Sequence, residues 1–137
     1  MTKIKFEDLG EKKNWVSGRY EDSSSSKTIS IISPYFDKEI ATIPDSNYND
    51  LDMAVQGARS IFPDWKRTNI RDRAEVMFRF KTILESNMDE LAHLISLDNG
   101  KTIEDAKASI NRGKEVVEFA TSLPNILKGD SSQVADG

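Results

Sequence analysis

The spacing of apolar positions changes once along the chain, near Ser46, and the change divides it into two kinds of structure. Before that point apolar and polar residues alternate in short runs bounded by turn formers. In "TISIIS", Ile29 and Ile31 alternate with Thr28 and Ser30, the two-residue period of a half-buried strand. "PYFDKEIATIP" predicts a turn around Phe36, Asp37 and Lys38, then a second strand over 39–43. Residues 28–43 therefore form an expected antiparallel pair. "NWVSGRY" predicts a smaller hairpin, with Ser17-Gly18 supplying the positive φ of a two-residue turn. The run "EDSSSSK" between them reads as a polar, mobile loop tip.

From Ser46 onward the period is that of a helix. Leu51, Ala54, Val55, Ala58, Phe62 and Trp65 share one face of a first helix, with Ser46 as its N-cap and Pro63 ending or distorting it. A second helix is expected over 70–86. Its stripe of Ala74, Met77, Phe80 and Leu84, flanked by Val76 and Ile83, is too broad for a solvent-facing helix. A third, over 88–98, is expected to bury Leu91, Leu94 and Ile95 and to close at Gly100 in a left-handed conformation. Thr102 opens a fourth helix, and Asp105 three residues on completes an acidic capping box. That helix is expected to run to about 123, where Pro124 stops it. The fold class is α+β: small antiparallel β-hairpins over 14–44, four helices over about 47–123, and a polar tail over 124–137. The aromatic residues of "FPDWKRT" are assigned to the core.

Composition narrows the function more than it defines it. The formal net charge of −4 argues against nucleic acid or an anionic membrane surface as partner. No window approaches the ~18 apolar residues of a membrane span. The N-terminal "MTKIKFEDLGEKKNW" has no apolar core of a secretory signal, so the cytoplasm is the expected location. Cysteine is absent, which removes disulfides, thiolate metal sites and any thiol nucleophile.

Among the charged residues Arg112 stands out. It lies one turn before Val116 on a row that continues to Phe119 and Leu123, at the margin of the expected buried face of the fourth helix. A partly desolvated guanidinium wants a carboxylate, which its planar fork binds in bidentate fashion. The plainer alternative is a surface pair with Glu115, three residues on. Gly113 follows directly, either an incidental mid-helix glycine or a point of close backbone approach. His93 is a lone histidine and reads as structural. Lys101 after Gly100 lacks the loop of a phosphate site and reads as a complement to the preceding helix C-terminus.

"NWVSGRY", "ISPYFDKEIATIPDS", "DLDMAVQGARSIFPDWKRTNIRDRAEVMFRFKTIL", "LAHLISLDNGKTIEDAKASINRGKEVVEFA" and "LPNILKGD" stand in the order and spacing of the N-terminal part of an aldehyde dehydrogenase. "GKTIEDAKASINRGKEVVEFA" with "LKGD" resembles one branch, the methylmalonate-semialdehyde dehydrogenases. The resemblance covers 14–130. It departs at "SPYFDKE" and at the serine run. It implies that residues 1–137 are the leading, incomplete part of a Rossmann-like α/β NAD-binding domain. The implied parent enzyme oxidises a carboxylated semialdehyde with NAD, passes the acyl group to coenzyme A, and assembles as a homo-oligomer. It implies that Arg112 binds the substrate carboxylate.

Such an enzyme needs a cysteine, a glycine-rich dinucleotide turn, a second arginine and a glutamate. The chain has no cysteine, and glycines 10, 18, 57, 100, 113, 129 and 137 include no GxGxxG. The expectation is therefore a non-catalytic segment that binds neither NAD nor coenzyme A alone. The competing expectation is a stand-alone helical module that self-associates or binds a protein partner through its broad apolar stripe.

Overall fold

Two short hairpins lead the chain in the computed structural model, which describes residues 5–127. In the first, β1 (Asn14–Val16) pairs antiparallel with β2 (Arg19–Glu21). Ser17 and Gly18 both carry positive φ, 51° and 83°, as the tight turn requires. In the second, β3 (Thr28–Ser33) pairs with β4 (Lys38–Pro44), and a bulge between Ile31 and Ile32 shifts the register. Asp37 closes the turn at φ 51°, its N–H bonding the carbonyl of Ser33 at 2.8 Å. The outer edge of β4 is also occupied. Leu9 N–H donates to Ile40 O at 2.7 Å and Lys12 N–H to Thr42 O at 2.8 Å, placing residues 9–12 beside it.

Among the described residues five helices follow: α1 (Tyr48–Arg67), α2 (Ile70–Ser86), α3 (Met88–Asn99), α4 (Ile103–Thr121) and the short α5 (Leu123–Ile126). Two local expectations at α1 are corrected. The N-cap is Asn47 rather than Ser46, because Asn47 and Asp50 form a reciprocal capping box while the Ser46 hydroxyl bonds Asn14 instead. Pro63 does not end the helix. One missing N–H is outweighed by the turns around it, and α1 closes at Thr68, whose N–H meets the carbonyls of Asp64 and Trp65. Pro124 sits in the first turn of α5, where a missing N–H costs nothing. Of the expected tail, 128–137 lies outside the described residues.

Ile40 and Ala41 on β4, Ala74 on α2 and Leu97 on α3 are buried, and the Ser33 hydroxyl of β3 donates to the Leu97 carbonyl. Ala92, Ala106 and Ile110 form a buried cluster where α3 packs on α4. The expected α3 core of Leu91, Leu94 and Ile95 is only half-buried. Its fully buried residues are Ala92, Ser96 and Leu97, because α3 is covered by α4 on one flank and by β3 on the next.

The helix α1 is the largest departure. Leu51 is 62 % exposed, Phe62 58 % and Trp65 42 %, so the aromatic residues assigned to the core line an open face. Among the described residues α1 rests chiefly on β1, and its apolar row stays open.

Gly100 ends α3 at φ 75°, with its N–H bonding Ser96 O at 2.9 Å. A Cβ there would lie 3.2 Å from Pro34 Cγ. Gly100→Ala is expected to destabilise the fold by about 1–2 kcal/mol, the left-handed penalty of a side chain, read as a lowered urea midpoint at unchanged slope.

Candidate functional site

The fourth helix begins at a capped turn. Thr102 Oγ1 accepts the Asp105 N–H at 3.1 Å and donates to the Asp105 carboxylate at 2.8 Å. The carboxylate thus meets the cap hydroxyl, whereas the capping box predicts a bond to the cap backbone. Seven residues after the cap, Ser109 donates its hydroxyl proton to the Asp105 carbonyl at 3.0 Å. Arg112 Nη2 then donates to Ser109 Oγ at 3.1 Å. Residues 102, 105, 109 and 112 fall on one face of α4, joined by this continuous run of hydrogen bonds.

Arg112 is exposed, not partly desolvated as the apolar row predicts. Val116 and Phe119, which would shield it, are 70 % and 68 % exposed. Nor does it pair with Glu115. Helical side chains lean toward the N-terminus, so the guanidinium reaches back to Ser109. The other α4 cations are neutralised: Lys107 by Asp89 on α3 at 2.5 Å, and Lys114 by Glu85 on α2 at 3.2 Å. Lys81 of α2 forms a further pair with Glu118, whose hydrogen bond raises the lysine pKa and lowers that of the carboxyl. Among the described residues, Arg112 is the one cation of α4 with no carboxylate at ion-pair distance. The position after it is open, with no atom within 4 Å of a Cβ built on Gly113.

The remaining candidates stay apart from this face. His93 is half-buried on α3 with Nε2 3.8 Å from a Glu7 carboxylate oxygen, an acidic neighbour that its place in the sequence does not reveal. Lys101 is exposed, and its N–H bonds the Asn99 side chain at 3.2 Å. A groove of about 580 Å³ runs between β1 and α1, lined by Trp15, Tyr48 and Leu51. Its one carboxylate, Asp50, is fully occupied. It accepts from the Ser23 hydroxyl at 2.6 Å, the Ser24 N–H at 2.8 Å and the Asn47 N–H at 2.9 Å. The serine run is thus a clasp on the α1 N-terminus and not the loop tip expected from its composition.

The described residues do not fit a pyrophosphate of the kind NAD or coenzyme A carries. A helix N-terminus binds one through free N–H groups and a positive dipole. Here α1 has Asp50 in its first turn, α2 Asp72, α3 Asp89 and Glu90, and α4 Glu104 and Asp105, each placing negative charge where the phosphate would sit. No group of three or more His, Cys, Asp or Glu among the described residues is placed to hold a metal ion. No described helix is long and apolar enough to cross a membrane.

Two antiparallel strand pairs followed by a helical layer, with an exposed arginine on the last long helix, are the architecture of the N-terminal part of aldehyde dehydrogenase structures. The chain belongs to the aldehyde dehydrogenase family, whose pattern matches residues 20–137. It is 38% identical over 118 residues to malonate-semialdehyde dehydrogenase 1 of Oceanobacillus iheyensis, covering 86% of this chain and 24% of that one. It is 40% identical over 121 residues to malonate-semialdehyde dehydrogenase of Halalkalibacterium halodurans, covering 88% and 25%. A structure described as methylmalonate-semialdehyde dehydrogenase from Sinorhizobium meliloti, complexed with NAD, superposes with a TM-score of 0.84 at 34% identity. That match covers 93% of this chain and 26% of the other. The chain therefore spans about a quarter of the length of these relatives.

Proposed function

We propose that the chain is the substrate-arginine segment of an NAD-dependent, coenzyme-A-acylating malonate- or methylmalonate-semialdehyde dehydrogenase. The observation that carries this reading is Arg112. Among the described residues it is the uncompensated cation of a helix whose other cations are paired, on a chain similar to enzymes named for carboxylated aldehydes. Its role is to bind the carboxylate of the semialdehyde and fix the orientation of the aldehyde end. Thiol attack and hydride transfer fall outside this chain's own chemistry, since it has no cysteine and its helix N-termini do not suit a dinucleotide. The test joins residues 1–127 to the remainder of the Sinorhizobium enzyme and compares Arg112 with Arg112→Ala. Equal losses for a carboxylated and a simple aldehyde would remove the role.

The open apolar face of α1 favours a second reading, in which the chain is a module that self-associates there. That reading predicts a discrete, monodisperse species unfolding cooperatively in urea. The dehydrogenase reading predicts a chain that scatters light as a polydisperse associate, or one stabilised by adding the rest of the enzyme. In that setting the parent enzyme is a homo-oligomer.

A further inference from the structure

We propose that Ser109 is a positioning residue, whose hydroxyl sets the direction of the Arg112 guanidinium and so presents its remaining N–H donors to a carboxylate. The functional consequence rests on the reading of Arg112 as a substrate ligand; the orienting contact does not. A hydroxyl has a single proton and two lone pairs. The proton of Ser109 is committed to the Asp105 carbonyl at 3.0 Å, so toward Arg112 its oxygen can only accept, and Nη2 lies there at 3.1 Å. The hydroxyl cannot turn to donate without giving up the carbonyl. That carbonyl is itself fixed, because Asp105 is held by Thr102 at both its N–H and its carboxylate. The direction of the guanidinium is thereby referred to the capped end of the helix.

Two further points separate this from an incidental surface contact. An arginine samples many rotamers, and bidentate capture of a carboxylate uses one of them, so restricting the fork beforehand reduces what binding must freeze. One donor is engaged by Ser109, and among the described residues the rest of the fork makes no further hydrogen bond. Mid-helix serine bonded back to the carbonyl four residues earlier slightly disfavours the helix, a cost alanine would not carry. Position 109 gives up that helix propensity and gains the contact to Arg112.

The test begins with the joined dehydrogenase, in which the segment has its remainder, labelled with nitrogen-15 at arginine, following relaxation of the arginine Nε signals. The Arg112 Nε is expected to be more ordered than those of the exposed Arg59 and Arg79. Ser109→Ala should bring it to their level, and Ser109→Thr, which keeps the hydroxyl, should preserve the order. Equal order in wild type and Ser109→Ala overturns the proposal. In the joined dehydrogenase, Ser109→Ala should raise KM for malonate semialdehyde about fivefold. The kcat and both constants for a simple aldehyde should stay unchanged, and Ser109→Thr should restore KM. An unchanged KM beside lost order overturns the binding consequence. Arg112→Ala failing to discriminate the two aldehydes overturns the reading of the site instead, so the two failures are told apart.

Discussion

Arg112→Ala in the joined dehydrogenase is expected to lower kcat/KM for malonate semialdehyde by roughly 10²–10⁴, leaving a simple aldehyde within about a factor of three. The estimate follows from the bond type. A bidentate guanidinium–carboxylate contact has two charge-assisted hydrogen bonds of about 1.5–3 kcal/mol each, and every 1.4 kcal/mol is about tenfold. Arg112→Lys keeps the charge and loses the fork, so it should fall between, near a tenfold loss for the carboxylated substrate. Steady-state kinetics on both aldehydes reads the split. The partner groups matter to this expectation. Because Glu85 and Asp89 are already engaged by Lys114 and Lys107, neither competes with the substrate for Arg112.

Asp50→Asn is expected to give the largest loss of stability among single polar replacements in the leading half, several degrees in the thermal midpoint at neutral pH. The carboxylate accepts three donors from two separate segments, and an amide would turn a donor toward at least one of them. The hydrogen bond from the Ser23 hydroxyl, followed by the N–H groups of Ser24 and Asn47, lowers its pKa to about 2. The folded pKa is thus depressed below the unfolded value near 3.8. The stabilisation is fully present above the unfolded value and is lost as pH falls through about 2. Thermal melts of wild type and Asp50→Asn should therefore differ most above pH ~4 and converge toward pH ~2. A constant difference across that range would show that the charge on Asp50 is not what holds the serine run.

The features legible in the sequence are those whose cause is local. Ser17-Gly18, Gly100 and the Thr102 N-cap carry their conformations in two to four neighbouring residues, and all three stand where the pattern puts them, although the Asp105 carboxylate meets the cap hydroxyl and not the cap backbone. The misreadings have causes at longer range. Asp50 and the serine run meet across 26 residues, and nothing near either signals the other. Ser46 and Asn47 are both good caps, and the choice between them is made by Asn14, on another element. Leu97 rather than Leu94 is buried because β3 covers one flank of α3, a matter of topology and not of period. Phe62 and Trp65 show the limit of composition. Their spacing marks an apolar face correctly, but spacing does not say whether this chain supplies the surface that covers it. At the site, Arg112 was legible as a residue and not as a geometry. The plainer alternative, a surface pair, looks forward to Glu115, whereas the lean of helical side chains sends the guanidinium back to Ser109.

The segment over residues 9–12, beside β4, has a bearing on how the chain behaves in company. A strand with an unoccupied margin offers its amides and carbonyls to any other chain that can lie alongside. Leu9 and Lys12 fill that margin from within the same molecule, and the acidic and basic residues around them discourage a stranger from replacing them. A polypeptide beginning at Asn14 would keep both hairpins and every helix, yet it would uncover the backbone of Ile40 and Thr42. Its failure would then be one of company and not of folding: β4 would recruit β4 from a neighbour, a self-complementary pairing that closes as a dimer.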